Sequence, residues 1–342
     1  MRFLNTLYVV DHGSRVRVSK GALTVTKTDG QRSRVPLNAI DGVVLAGYAQ
    51  ISTEALSECV YRQIRVAALR RSGRLRFCVG GPTSGNVHLR LAQYRAADCP
   101  EATLDVSRWL VAGKLQNCRR MMMRWAQDAS EVERAVLTRS VCVVEQRIDA
   151  LGDASDGDTV RGLEGDGTRR YFKGFAAHLS HAHEDLRFTG RSRRPPRDPA
   201  NALLGFVYGL VLAEVVGALD AVGLDPQVGF LHGVRPGRPS LGLDLLEELR
   251  PAVADRFVAR TLGRKEVGPE DFVHTPGGAC YLTDDGRRAL LKRYEKFRSE
   301  EVRHLLLDRM VPRASIPLIQ AKLFARHLRA DLPMYPPYVV VG

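Results

Sequence analysis

The sequence predicts an α+β fold: a small β-rich N-terminal domain over residues 1–85, then a larger all-α C-terminal domain over residues 86–342 that ends in a Pro-rich tail. Three observations carry that division. Short Val- and Thr-rich runs separated by turn signals fill the first 80 residues. The stretch GGPTSGN at 80–86 then breaks the pattern. Beyond it, apolar residues recur at helical spacing almost to the C-terminus. A chain of 342 residues is long enough for two domains and a sizeable core.

In the N-terminal part, strands are expected at 7–10, 15–18, 23–28 and 40–45, with turns at 11–14, 20–21 and 29–30. Residues 53–63 read as a helix capped by Thr53, with Ala55, Leu56, Cys59 and Val60 on one face. Strands resume at 64–69 and 75–79. This region holds no obvious catalytic cluster, so scaffolding and dimerisation are its expected roles. The glycines at 80–86 are not a phosphate-binding loop, because the GxxxxGK[ST] pattern is absent.

Helices are expected at 87–97, 104–125 and 132–151, followed by a polar loop to 161. The motif GLEGDGTRRYF (162–172) reads as a Gly-rich turn carrying Glu164, with a helix after it. His178, His181 and His183 with Glu184 and Asp185 form a rival metal cluster on a polar stretch. Arg187, Arg191, Arg193, Arg194 and Arg197 then crowd a Pro-containing loop suited to a DNA backbone. Asp198 and Pro199 read as N-cap and first residue of the next helix. Its apolar run, 202–219, is interrupted by Glu214, and the uninterrupted part suits a buried core helix better than a membrane span. Further on, 252–262 is helical, 267–282 is irregular with a candidate hairpin at 276–278, and helices are expected at 283–297 and 315–329. The tail, 332–342, with Tyr335 and Tyr338, reads as a candidate docking peptide.

Composition narrows the partners. Hydrophobic residues make up 44% and charged residues 26%, as in an ordinary soluble globular protein. Fifty-one Lys and Arg against 38 Asp and Glu leave +13, with a pI near 9.8, so an anionic partner is expected: nucleic acid first, a membrane surface second. The 6 cysteines are scattered without a CxxC pair, which points to reduced thiols and a cytoplasmic protein. The N-terminus lacks signal-peptide architecture.

The chemistry concentrates in FLHGVRPGRPSLGLDLLEELRP (230–251). A loop presents His232, Arg235 and Arg238; Ser240 is placed to cap a helix, and Asp244 and Glu247 share one face of it. Two close carboxylates need a cation or a proton between them, and with an imidazole they suit Mg2+ or Mn2+. An amphipathic helix with solvated acids is the other reading of this stretch.

Three segments together, 162–172, RSRRPPRDPANALL (191–204) and 230–251, resemble the core of the CRISPR-associated adaptation integrase family, the endonuclease that inserts new spacers into a CRISPR array. Residues 114–117 resemble a polar element of that family's first long helix, and the wording of the third segment resembles type I systems, subtype C. The resemblance spans nearly the whole chain and implies a catalytic C-terminal domain. It also implies phosphodiester cleavage and 3′-OH strand transfer, using Mg2+ or Mn2+, in antiviral defence. Glu164, His232 and Glu247 match the family's metal ligands, and Asp244 matches a second acidic position that supports catalysis in some members. His232 could alternatively donate a proton to the leaving oxygen. Arg191, Arg193, Arg194, Arg197, Arg235 and Arg238 would position the phosphates of branched or double-stranded DNA. The resemblance further implies a homodimer that joins a small second adaptation protein. A non-catalytic basic DNA-binding protein with structural acids is the competing reading.

Overall fold

The strands at 15–19 and 22–26 alternate more and less buried side chains, a period of two that decides which face their sheet buries, whereas the runs at 42–46 and 65–69 are apolar almost throughout, as suits parallel strands covered on both faces. The computed structural model describes residues 5–80, 87–180, 184–192 and 195–341. In chain order it begins with β1 (Thr6–Val9), β2 (Arg15–Ser19), β3 (Ala22–Thr26), β4 (Arg32–Pro36), β5 (Gly42–Ala46), β6 (Gln50–Ile51), α1 (Thr53–Tyr61), β7 (Arg65–Leu69) and β8 (Leu75–Val79). One sheet has the order β1-β5-β7-β8, parallel except for the last pair; the other has the order β4-β3-β2-β6. Val16, Leu23 and Val25 from one sheet meet Val43, Leu45 and Val66 from the other, with Ala55 and Cys59 of α1 in the same cluster. Ser52, not Thr53, caps α1: its side chain accepts from the Ala55 N–H at 3.2 Å. The expected domain boundary falls on residues 81–86, outside the described residues.

The helical part comprises α2 (Val87–Asp98), α3 (Pro100–Gln127), α4 (Glu131–Ala150), α5 (Gly157–His178), α6 (Pro199–Val222), α7 (Ser240–Leu249), a π-helical segment Arg250–Asp255 and α8 (Arg256–Gly263). After these come β9 (Phe272–His274), β10 (Cys280–Leu282), α9 (Asp284–Ser299), β11 (Glu301–His304), β12 (Arg309–Pro312) and α10 (Ile316–Leu328). The hairpin expected near 276–278 is β9–β10, and a second small hairpin, β11–β12, joins it in a region that is otherwise mostly helical. Helix starts follow their capping chemistry. Ser130 and Glu133 form a capping box on α4, and Asp198 caps α6 with Pro199 at its first position.

α6 is the central strut. An 18-residue window of it reaches a mean hydropathy of 2.1, and 78% of that window is buried within the protein. It packs against α7, α8 and α10 as well as β7 and β8. Contact with the N-terminal sheet is so close that a Cβ at Gly209 would lie 1.6 Å from the Gly73 carbonyl oxygen. Gly73 itself turns with φ +79°, a conformation glycine adopts without steric cost. Arg298 of α9, donating to the Thr6 hydroxyl at 2.9 Å, is a second tie between the two parts.

The tail is a strap woven into the core rather than a free docking peptide. Tyr335, Tyr338 and Val340 are buried. Asn117 of α3 donates to the Tyr338 carbonyl at 2.8 Å and accepts from the Val340 N–H at 2.9 Å. Glu248 of α7 accepts from the Tyr335 hydroxyl at 2.7 Å, the Tyr338 N–H at 2.9 Å and the Gln320 amide at 3.1 Å. Burial pushes the Glu248 carboxyl up to about 8 despite these three donors. Gly113 makes room for the strap, since a Cβ there would lie 2.4 Å from Pro337 Cβ.

Tyr335→Phe removes one donor from a buried carboxyl group, and the expected cost is about 1–3 kcal/mol of stability. Urea unfolding measures it; an unchanged midpoint would show that the hydroxyl contributes nothing to holding the strap.

Candidate active site

The acids of the site begin on α7. Ser240 was expected to cap this helix, but Pro239 stands at the cap and Ser240 is already the first helical residue. The Ser240 hydroxyl donates to the Gly233 carbonyl at 3.1 Å, which pins the loop that carries His232. One turn on, Asp244 is fully buried. Its Oδ2 accepts from the Phe230 and Leu231 N–H groups at 2.6 and 3.2 Å, and its Oδ1 accepts from the His232 N–H at 2.9 Å. The same Oδ1 lies 2.7 Å from His232 Nδ1. A carboxylate gathering three amide donors acts as an acceptor here too, so Nδ1 is the donor and Nε2 is left with its lone pair facing outward. Gly229 leaves space for this arrangement, because a Cβ there would lie 2.7 Å from Asp244 Oδ2. Asp244 therefore orients the imidazole, with both of its oxygens already engaged.

Glu164 arrives from α5. The Gly-rich stretch around it is not a turn: α5 starts at Gly157, where Asp156 caps it by accepting from the Thr159 N–H at 2.8 Å. Its glycines serve helix packing instead. A Cβ at Gly167 would lie 2.5 Å from Leu115 Cδ2, and one at Gly174 would lie 2.8 Å from Met122 Sδ. These two positions, a heptad apart, let α5 settle closely onto α3. Glu164 Oε1 accepts from the Thr168 hydroxyl at 2.9 Å and pairs with Lys114 of α3.

Lys114 stands at the centre. Its side chain is 4% exposed, and its Nζ contacts Glu164 Oε1 and lies 2.6 Å from Glu247 Oε2. On the other side, Arg250 Nη1 lies 2.9 Å from Glu247 Oε1, and His232 Nε2 lies 3.8 Å from that same oxygen. Burial would raise the Glu247 carboxyl, but the Arg250 and Lys114 cations outweigh it and bring it down to about 2. Arg250 and Arg191 each stack on the Tyr208 ring with 5.1 Å to the centroid. The Tyr208 hydroxyl donates to Asp255 at 2.6 Å, and burial pushes the Asp255 carboxyl up to about 6.

Two carboxylates and an imidazole from separate elements suit a hard divalent ion such as Mg2+ or Mn2+. Glu247, buried and held ionised, is a hard oxygen donor of the kind such an ion takes, although its Oε2 is met here by the Lys114 ammonium. Among the described residues, however, no three His, Cys, Asp or Glu side chains already stand in ligand geometry; the Lys114 ammonium lies between the two glutamates.

The candidate phosphate contacts divide. Arg197 and Arg235 are exposed and Arg238 is half-exposed. Arg235 and Arg238 line a groove of about 800 Å³ together with Arg74 and Arg76 of β8 and its approach. Arg191 is committed elsewhere, bonding Asn201 and stacking on Tyr208, while Arg193 and Arg194 lie outside the described residues. Of the rival histidine cluster, His178 stacks on Trp125 at 4.5 Å between ring centroids, and His181 and His183 lie outside the described residues. Sequence reasoning overlooked the ion pairs of Lys114 and Arg250. The signal for Lys114 was a single lysine on the apolar face of a long helix, beside Leu110, Val111, Leu115 and Cys118, where a buried ammonium requires acidic partners.

A family model described as CRISPR associated protein Cas1 matches residues 7–296. Over 346 aligned residues the chain is 40% identical to a CRISPR-associated endonuclease Cas1 of Rhodospirillum rubrum, covering 98% of each chain. Among solved structures, a casposase bound to integration product superposes with a TM-score of 0.85 at 21% identity, over 97% of this chain and 93% of that one. A Cas6-RT-Cas1–Cas2 complex superposes with a TM-score of 0.80 at 19% identity, over 98% of this chain and 36% of that one. At such identities these two superpositions speak for the fold.

Asp244→Asn, which loses the charge that holds Nδ1–H and weakens its hold on the loop amides, is expected to lower Mn2+ affinity by about 10–100-fold. Calorimetric titration measures this; an unchanged affinity would remove Asp244 from the orienting role.

Proposed function

The chain belongs to the CRISPR-associated Cas1 family of endonucleases, and on that premise we propose that it cleaves and joins DNA phosphodiesters in CRISPR adaptation, with Glu164, Glu247 and His232 Nε2 as ligands of Mg2+ or Mn2+. The observation that carries this reading is the approach of Glu164, Glu247 and His232 from three separate elements, with Asp244 given over to aiming the imidazole. When bound, a divalent ion neutralises a nonbridging phosphate oxygen and activates a water or a 3′-hydroxyl.

The chain's own residues do the rest. Glu247 is held ionised and ready as a ligand by the charges around it. Thr168 fixes the Glu164 carboxylate, and His232, its side chain 23% exposed, presents Nε2 at the accessible edge. Arg197, Arg235 and Arg238 offer cations to phosphates, Arg74 and Arg76 extend the same basic groove, and Arg193 and Arg194 stay candidates on sequence grounds. Hydrolysis by water yields cleavage; attack by a 3′-hydroxyl yields insertion of a spacer. We assign the chain DNA as substrate, a homodimeric state, and a small Cas2-like partner of the kind present in one structural relative. Residues 1–85 would scaffold and dimerise and residues 86–342 would catalyse, and the separate apolar cluster around Val16, Leu23 and Val66 supports that division.

The test is strand transfer on a branched DNA with Mg2+, Mn2+ or EDTA. Wild type is expected to act only with metal, and His232→Ala to lose on the order of 100-fold or more while keeping its fold and DNA affinity. Equal turnover by both proteins would sink the proposal. In a second experiment, Arg235→Ala with Arg238→Ala should flatten the dependence of log K on log salt by about 0.9 for each phosphate no longer neutralised. A slope equal to that of wild type would take this groove off the DNA path.

A further inference from the structure

We propose that Lys114 is a resident counter-ion that closes the metal-free site, and that it must swing from Glu164 and Glu247 toward Asp255 before a divalent ion can be held. The proposal rests on the metal-binding reading above. It makes Lys114 and Asp255 positioning residues that set the ion affinity of the site.

Competition is built into the contacts. Lys114 Nζ touches Glu164 Oε1 and Glu247 Oε2, oxygens of the two carboxylates the ion would need. Charge balance points the same way. The two glutamates are already met by two cations, the buried Lys114 and the half-buried Arg250, so a dication added beside an unmoved ammonium would face like charge at close range. Departure of the ammonium restores the balance and opens Glu247 Oε2 and one side of Glu164 Oε1, while Arg250 stays on Glu247 Oε1 and Thr168 on Glu164 Oε1.

The structure also supplies a place for the ammonium to go. A cavity of about 10 Å³, on the scale of one water, adjoins Lys114 and is lined by Thr168, Tyr171, Tyr208 and Asp255 among others. Two groups there suit an incoming cation. The Tyr171 hydroxyl is buried beside the Asp255 carboxyl and acts on it as a donor, and its oxygen can also accept from a cation. The Asp255 carboxyl is also buried; Tyr208 donates to one of its oxygens, and Arg191 and Arg250, which line the same cavity, already act on it, so the ammonium would join two guanidinium groups there. Burial raises Asp255 to about 6, so a nearby ammonium would favour its charged form. A lysine has the flexible stem for such a move; the planar fork of an arginine would grip a carboxylate in two places and resist it.

Mn2+ titration calorimetry and thermal unfolding of the full chain, with EDTA or Mn2+, test this. Lys114→Gln is expected to bind Mn2+ more tightly than wild type, by a factor on the order of 5–150, the usual span for two coupled equilibria. In EDTA it should melt lower than wild type, because the glutamates face each other without their ammonium, and Mn2+ should raise its midpoint by more. Asp255→Asn, lacking the receiving charge, should bind Mn2+ more weakly. These opposite signs separate an exchange of partners from mere damage to the fold. If wild type binds Mn2+ while Lys114→Gln binds equally or more weakly, the proposal is wrong and the metal site stands. If wild type itself does not bind Mn2+, both fall. Should Lys114→Gln fail to fold, Lys114→Arg decides: weaker Mn2+ binding supports the exchange, and equal or tighter binding overturns it.

Discussion

A single buried ammonium ties the helical region together. Lys114 belongs to α3, Glu164 to α5 and Glu247 to α7, so one ion-pair cluster joins three helices at one point. Taking such charges out of water costs several kcal/mol per ion unless their partners are close and well placed. The surrounding structure meets that condition sterically. Gly167 and Gly174 bring α5 down onto α3, the α4 capping box starts the helix that packs against both, and Arg250 closes the far side of Glu247. Loosening any of these contacts would leave a charge stranded in the interior, which makes the helix spacing and the electrostatics one constraint rather than two.

α7 distributes its three acids by simple helical geometry. With about 100° per residue, Glu247 lies about 60° to one side of Asp244 and Glu248 about 40° to the other. The three side chains consequently serve three neighbours. Asp244 gathers the backbone of 230–232 and the His232 ring, Glu247 faces Lys114 and Arg250, and Glu248 receives the C-terminal strap. All three are buried, yet their environments differ enough to pull Glu247 down to about 2 and push Glu248 up to about 8. Counter-ions surround the former, while neutral donors alone surround the latter. Adjacent, chemically identical residues thus acquire opposite properties from the faces they occupy.

Much of this was legible in the sequence because it is local. Alternation in β2 and β3, the Asp198–Pro199 start of α6, and the spacing of Asp244 and Glu247 each depend on a few neighbouring residues. What escaped depends on distant partners. Five glycines in 157–174 argue against a helix on propensity alone, and only the approach of Leu115 and Met122 explains why the helix forms there. The tail reads as a free peptide until Asn117, Gln320 and Glu248 supply its hydrogen bonds. Ser240 has the chemistry of a cap, but its hydroxyl is drawn to Gly233 instead. The Lys114 ion pairs span separations of 50 and 133 positions, beyond any periodic signal.

The division of labour between helices and loops follows from the tolerance each task allows. Holding an ion and an attacking oxygen in a reactive geometry demands placement within a fraction of an ångström, which packed helices provide. Lys114, Glu164, Asp244 and Glu247 are all on helices. Gripping a phosphate backbone carries no such demand, and the arginines proposed for that task, Arg197, Arg235 and Arg238, sit on loops. His232 is the apparent exception, a site residue on a loop. Its loop is the one whose three successive backbone N–H groups, along with the imidazole, are bound by a single buried carboxylate. Asp244 lends helix-like rigidity to a segment that has none of its own, and that is why an acid with no free oxygen for an ion still belongs to the site.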